Sequence, residues 1–371
     1  MTAKERFLRT LAFEPVDRLP FIDFGYWPET IEAWHSQGLP EDVTTDEAVE
    51  RYLGLDVGFE QNELNGFDET GEKGMAFRVW PQFEAQVLEE TADRVISING
   101  QGVTAEYGKH GSSIPRFIRF PVETMADFER LLPRLDAAHP GRVKPTLAGI
   151  VRAAWEGRHE QAVGLWLDGF FAWPRELMGV ENLSLAFYDA PELIHAINGQ
   201  HAGFLIAYAD SMIDRCTVDY ACFFEDMAYK NGPLASPAVV REFMMPYYEK
   251  VVNHLRSRGV NRILIDSDGN TTKIAPLFAE VADGHYPCEI NAGNHPELLR
   301  QTCPKLALIG GVDKTALIAG RQAIERELAK LPERISMGGY IPAVDHRVPP
   351  DVTLDDYRYY LEKKWNIICK I

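Results

Sequence analysis

From about residue 160 to the C-terminus, apolar runs of strand length alternate with amphipathic stretches of helix length. The strand-like runs are "AVGLWLDGFF", "TVDYACFFEDM", "RILIDSDGN", "YPCEINAG", "KLALIGGVDK" and "GYIPAVDH". Between them lie "PELIHAINGQHAGFLIAYADSMIDR" and "SPAVVREFMMPYYEKVVNHLRSRG", the second opened by Ser236 as cap with Pro237 in its first turn. Such alternation predicts parallel strands joined by helical crossovers. Across 371 residues, the number of units suits a single (β/α)8 TIM barrel of the α/β class, one domain over 1–371. An open doubly wound sheet is the alternative, although no Gly-x-Gly-x-x-Gly follows a strand to support a dinucleotide fold.

The first third reads differently. "KERFLRTLAF" and "TDEAVERYLGL" have helical spacing, "DRLPFIDFG" reads as a first strand, and "PVETMADFERLLPRL" as a helix with an acidic start. From Met75 to Tyr107 apolar and polar residues alternate and Asn99-Gly100 signals a hairpin, which predicts an antiparallel β insertion over about 75–107.

Each proposed strand ends in polar residues: Asp23, Asp168, Glu225 with Asp226, Asp266 with Asp268, Glu289, Asp313, and Asp345 with His346. In a barrel the carboxyl ends of all strands meet at one face, and that face carries the chemistry. Clustered acids raise one another's pKa unless a cation compensates. The pattern therefore predicts a metal, a cationic ligand or a proton-handling acid.

Each group also has a plainer reading. Asp268, before Gly269-Asn270, suits an Asx turn or helix cap; Asp266 is nearer the strand, and strand alternation puts both on one face. Asp345-His346 could be a solvated loop, but Gly338-Gly339 and Pro349-Pro350 bracket it, and a His beside an Asp suits metal ligation or acid–base work. Glu225, Asp226 and Lys230 in "FFEDMAYKNGP" could be a salt-bridged loop. His285 and Cys288 make a weak zinc pair, because alternation sends them to opposite faces; with Cys288 in the wall, Glu289 becomes the inward candidate. Tyr26, in the aromatic stretch "FGYWPETIEAW", reads as core or pocket lining.

A formal charge of −17 argues against a nucleic-acid partner. No signal peptide and no membrane-length apolar run is read. Five scattered cysteines (Cys216, Cys222, Cys288, Cys303, Cys369) suit free thiols in a reducing cytoplasm.

"FFEDMAYKNGPLASPAVVREFMMPYY", "ILIDSDGN", "EINAG", "LALIGGVDK" and "GGYIPAVDHRVPPDV" together resemble the uroporphyrinogen decarboxylase superfamily. The likeness covers nearly the whole chain and is clearest from about residue 160. It implies a single (β/α)8 barrel, and an activity drawn from decarboxylation or corrinoid-linked methyl transfer. The true decarboxylases grip their substrate's carboxylates with arginines after the first strand; here that piece is "FIDFGYWPETIEAW", without arginine. His346 matches the histidine of their Gly-His-Gly loop. The methyltransferase branch binds zinc through His-x-Cys-Gly-Asn and a later Cys. Aligned by Gly269-Asn270, those ligands fall on Asp266, Asp268 and His346, a harder set that suits zinc, manganese or magnesium.

The resemblance thus implies methyl transfer between a small substrate and a corrinoid or thiol acceptor, the corrinoid carried by a partner protein. Asp266, Asp268 and His346 would hold a divalent metal, with Glu225 or Asp226 orienting the substrate. Asp23, Tyr26, Asp168, Glu289, Asp313 and Lys230 would line the substrate site, and a homodimer is implied. The alternative is a decarboxylase acting on a tetrapyrrole or other carboxylate, which inward-facing Arg78, Arg116 or Arg119 would favour. A non-catalytic small-molecule or corrinoid binder is the third reading.

Overall fold

The computed structural model describes residues 1–56, 79–109, 115–142 and 161–370. The insertion is present as a four-stranded antiparallel sheet: β1 (Gln86–Glu90), β2 (Arg94–Ile98), β3 (Thr104–Gly108) and β4 (Arg116–Arg119), paired in that order. It runs one strand beyond the expected end at 107, and the expected start at 75–78 lies outside the described residues. Both edge strands are exposed throughout, with Val87, Leu88, Phe117 and Ile118 in solvent. Arg116 and Arg119 lie on β4, exposed and beside Glu106 and Glu123, so neither is buried over a pocket. Arg78 lies outside the described residues.

The second half forms six parallel strands, as the alternation predicts: β5 (Gly164–Asp168), β6 (Tyr220–Phe224), β9 (Ile263–Asp266), β10 (Gly284–Cys288), β11 (Ala307–Val312) and β12 (Tyr340–Val344). They pair in chain order. A short hairpin, β7 (Ala228–Tyr229) with β8 (Gly232–Pro233), follows β6. Crossovers are helical, the longest Pro191–Ile213. Ser236 caps its helix as expected, through Val239 N–H. That helix divides into Pro237–Phe243 and Met245–Ser257, because Pro246 has no N–H to continue the ladder.

The sheet is buried on both faces, which is why its strands read as apolar runs rather than as alternation. Leu165, Leu167, Ala221, Phe223, Ile263 and Ile265 belong to the large core with the helices. The intervening residues Tyr220, Cys222, Leu264, Tyr286, Ile309 and Ala343 form a second cluster, with Phe7 and Leu11 of the N-terminal helix Ala3–Leu11 packed into it. Two separate apolar clusters on opposite faces follow from the two-residue side-chain period.

The expected first strand is an extended segment rather than a paired strand. Among the described residues its only bridge is Tyr26 to Val348. The reason is local: Pro20 lacks a donor, and Val344 N–H donates to the Asp23 carboxylate at 2.8 Å rather than to a backbone carbonyl. The segment still lies along β12, and Asp56 N–H donates to Phe21 O on its other side.

Candidate functional site

Pairing registers place Asp168 beside Phe224, Phe224 beside Asp266, and Asp266 beside Tyr286. These four therefore form one row across β5, β6, β9 and β10, on the face of the second cluster. The two carboxylate-bearing positions are two strand spacings apart, about 10 Å. Both are buried. Trp166 stacks on Phe224, and Phe24 meets Tyr286 edge-on. Beneath the row, Tyr286 Oη lies 3.1 Å from Cys222 Sγ.

Past the end of β9 the chain turns through Gly269, whose φ is +78°. A Cβ there would stand 2.3 Å from Ala228 O, so only glycine fits. This turn sends Asp268 toward His346, which follows β12. His346 Nε2 lies 3.5 Å from Asp268 Oδ2, close for an ion pair and long for a hydrogen bond. The imidazole stacks on Trp27 with ring centroids 5.8 Å apart, and Phe24 packs at 5.9 Å. Asp268 Oδ1 is buried without a hydrogen-bond donor. Gly269→Ala is expected to cost about 1–3 kcal/mol of stability through strain at this position, read from the urea midpoint; an unchanged midpoint contradicts the tight approach.

Three acids expected in the site are structural. Glu225 is buried, and its oxygens accept from Phe170 N–H (2.7 Å), Phe171 N–H (2.8 Å) and Ala172 N–H (3.0 Å), with Tyr248 Oη donating as well. It caps the helix Ala172–Met178 from another strand tip, so no oxygen is left to orient a substrate. Burial pushes its pKa up against the pull of these donors. Asp23 accepts from Val344 N–H, Tyr357 Oη, Tyr360 Oη and Lys364 Nζ, at 2.8–2.9 Å. Asp313 caps the short helix Lys314–Ile318 through Thr315 N–H and also takes Asn291 Nδ2. Tyr26 is core, bonded to Tyr357 Oη at 3.0 Å and edge-on to Trp34.

The remaining candidates are placed as follows. Asp226 sits at positive φ (43°), held by Arg175 through both its carbonyl and its carboxylate. Lys230 is exposed in the turn of the β7–β8 hairpin. Glu289 accepts Gly269 N–H and Lys314 Nζ, both at 3.0 Å. Asp345 is buried; it accepts Ile290 N–H and Lys314 N–H, each at 2.9 Å, and burial lifts its pKa to about 6.

The metal expectation does not fit this arrangement. Asp268 and His346 meet, but among the described residues no three His, Cys, Asp or Glu side chains form a group that could hold an ion. Asp266 stays on the strand, in the row with Phe224 and Tyr286, while Asp268 leaves it with the turn. The His285–Cys288 zinc pair is also ruled out by packing. His285 gives one nitrogen to Thr271 Oγ1 (2.8 Å) and the other to Ile265 O (3.0 Å), and burial lowers its pKa to about 4. Cys288 is buried in the wall, its pKa raised to about 12, and Glu289 reaches the mouth.

The sequence reading missed Trp27 and Phe24 as the walls around His346, and Lys314 as the link between loops. Trp27 and Phe24 lie in the quoted aromatic stretch, which was a usable signal; Lys314 had none beyond following Asp313.

Comparison with known proteins places this geometry. A family model described as Uroporphyrinogen decarboxylase (URO-D) matches residues 91–363. The chain belongs to the uroporphyrinogen decarboxylase family. Among curated members, it is 27% identical over 300 residues to a uroporphyrinogen decarboxylase of Pseudomonas fluorescens, covering 76% of this chain and 78% of that one. It is 24% identical over 278 residues to the Nocardia farcinica protein of the same name, covering 70% and 72%. Among solved structures, a methyltransferase from Methanosarcina mazei superposes with a TM-score of 0.61 at 16% identity, covering 99% of each chain. That last likeness shows a shared fold over the full length. Members of this family are enzymes, decarboxylases and methyltransferases among them. No helix among the described residues is long and apolar enough to cross a membrane.

Proposed function

We propose that this family member transfers a methyl group between a small substrate and a corrinoid or thiol acceptor, at the mouth of a closed (β/α)8 barrel. The observation that carries the reading is the Asp268–His346 pair, set between Trp27 and Phe24 beside the row Asp168–Phe224–Asp266–Tyr286. The mouth is acidic and aromatic. Two arginines beside it are already committed, Arg175 to Asp226 and Arg347, next to His346, to Asp46 and Tyr26 O. A polyanionic porphyrinogen would face carboxylates, whereas a small neutral or cationic methyl carrier would not be repelled.

When a corrinoid is presented by a partner protein, it supplies the carbon-accepting or carbon-donating centre. The chain's own residues do the rest. The aromatic walls of Trp27 and Phe24 hold the substrate with its reacting atom near His346. Loss of the methyl leaves the bonding pair on that atom, and the His346 imidazole is the group placed to give it a proton, while Asp268, beside Nε2, orients the ring. In the reverse direction His346 takes the proton from an accepting thiol. The five cysteines, four of them buried, form no disulfide among the described residues, which supports a reducing cytoplasm.

Decarboxylation is the second reading, favoured by the names of the curated relatives. One pair of assays separates the two. The purified protein is incubated with methylcobalamin and a panel of thiols, and with reduced cobalamin and methylated amines and ethers, following the corrinoid spectrum. In parallel it is given uroporphyrinogen III, following loss of carboxyl groups. Methyl turnover without porphyrinogen turnover is the expected result; porphyrinogen turnover alone overturns the proposal.

A further inference from the structure

Asp268 and His346 come from the ends of β9 and β12, which are separated in the sheet by β10 and β11. Their strands lie three spacings apart, about 14 Å along the sheet, and the tips between them are tied together. The ties are visible, one at each tip. Gly269 N–H, directly after Asp268, donates to Glu289 Oε2 at the end of β10. Ile290 N–H, directly after Glu289, donates to Asp345 Oδ2, and Asp345 directly precedes His346. At the end of β11, Lys314 serves both carboxylates: its backbone N–H donates to Asp345 Oδ1 at 2.9 Å, and its ammonium to Glu289 Oε1 at 3.0 Å.

Two acids and one lysine thus lace four consecutive strand tips: Asp345 directly precedes His346, and Glu289 is bonded to Gly269, the residue after Asp268. Each oxygen of both acids already accepts a hydrogen bond from this lacing. Asn294 anchors the same loop from the other side, accepting Thr271 N–H at Oδ1 and donating from Nδ2 to Gly269 O. A loop this heavily tied holds its side chains far more closely than a solvated loop would, and misplacement of reacting groups by about 1 Å costs on the order of a hundredfold in rate.

We propose that Glu289, Lys314 and Asp345 are positioning residues that set the Asp268–His346 separation, with Lys314 as the hub. None of the three touches substrate. They act through the loops that carry the pair. The proposal rests on the methyl-transfer reading for its kinetic readout alone; the separation itself is a structural quantity that holds whatever the reaction.

The test is Lys314→Met, which keeps the stem and the backbone N–H and removes only the ammonium. Glu289 keeps Gly269 N–H, so the fold is retained. The turnover of whichever methyl donor the wild type uses should fall by roughly tenfold or more in kcat, with KM little changed, and Lys314→Arg should recover most of it. A crystal structure of Lys314→Met should show the Nε2–Oδ2 separation opened well beyond its wild-type value. Wild-type kcat in Lys314→Met, or a fall that Lys314→Arg does not repair, overturns the proposal. An unchanged separation also overturns it, even if the melting temperature drops. If the wild type turns over no methyl donor, the separation alone decides: opened, it supports the lacing while the methyl-transfer reading fails.

Discussion

His346→Ala is expected to lower methyl turnover by about 10²- to 10⁴-fold, the usual contribution of a positioned acid–base group. The imidazole is the only such group from the final loop that the structure brings to the mouth with an open edge. Trp27 covers one ring face, Phe24 packs beside it, and Asp268 lies 3.5 Å from Nε2. A proton handed to or taken from a reacting atom here needs the imidazole. The effect should fall on kcat more than on KM, because the interaction matters when the bonding pair changes hands and less when substrate merely binds. Stability should move little, since His346 is only partly buried and makes no direct hydrogen bond that the fold requires. Turnover within tenfold of wild type would place the proton transfer elsewhere.

Lys364→Met is expected to cost about 3–5 kcal/mol of unfolding free energy. Lys364 Nζ is fully buried and donates to Asp23 Oδ1 at 2.9 Å and Ile22 O at 2.6 Å. Asp23 in turn holds Val344 N–H and the hydroxyls of Tyr357 and Tyr360. This cluster joins three parts distant in the chain: the extended segment, β12 and the C-terminal helix Leu354–Ile368. Removing the ammonium leaves a buried carboxylate with only neutral donors. The large term is that uncompensated charge, not the worth of the pair itself. Chemical denaturation should show the lowered midpoint. A Lys364→Met, Asp23→Asn double variant should be less destabilised than the single one. A loss below about 1 kcal/mol would mean that the buried charge is not confined as described.

How far the sequence carried can be judged on these residues. The six parallel strands were legible because each is a mostly apolar run that gives way to Asp or Glu, and burial on both faces leaves that mark. The convergence of Asp268 and His346 was legible because a parallel arrangement sends every strand end the same way. What stayed hidden depended on partners far along the chain. Nothing in "FFEDM" tells Glu225, which caps a helix beginning at Ala172, from Asp226, which is held by Arg175. Asp23 looked like a strand-tip acid of the site; its partner lies 341 residues away. A signal existed, though. Tyr357, Tyr360 and Lys364 recur at helical spacing on one face, and a lysine on a buried stripe implies a buried acid to meet it. The metal trio failed for a different reason. Alternation puts residues 266 and 268 on one face only while the strand continues, and the turn at Gly269 ends it.

The most direct test of the pairing at the mouth is a double-mutant cycle on turnover with Asp268→Asn, His346→Ala and their combination. If the two side chains act as one unit, the double variant should be scarcely worse than His346→Ala alone, a coupling of about 1.4 kcal/mol or more. If the two losses multiply instead, the carboxylate and the imidazole work independently, and the paired site described here is contradicted.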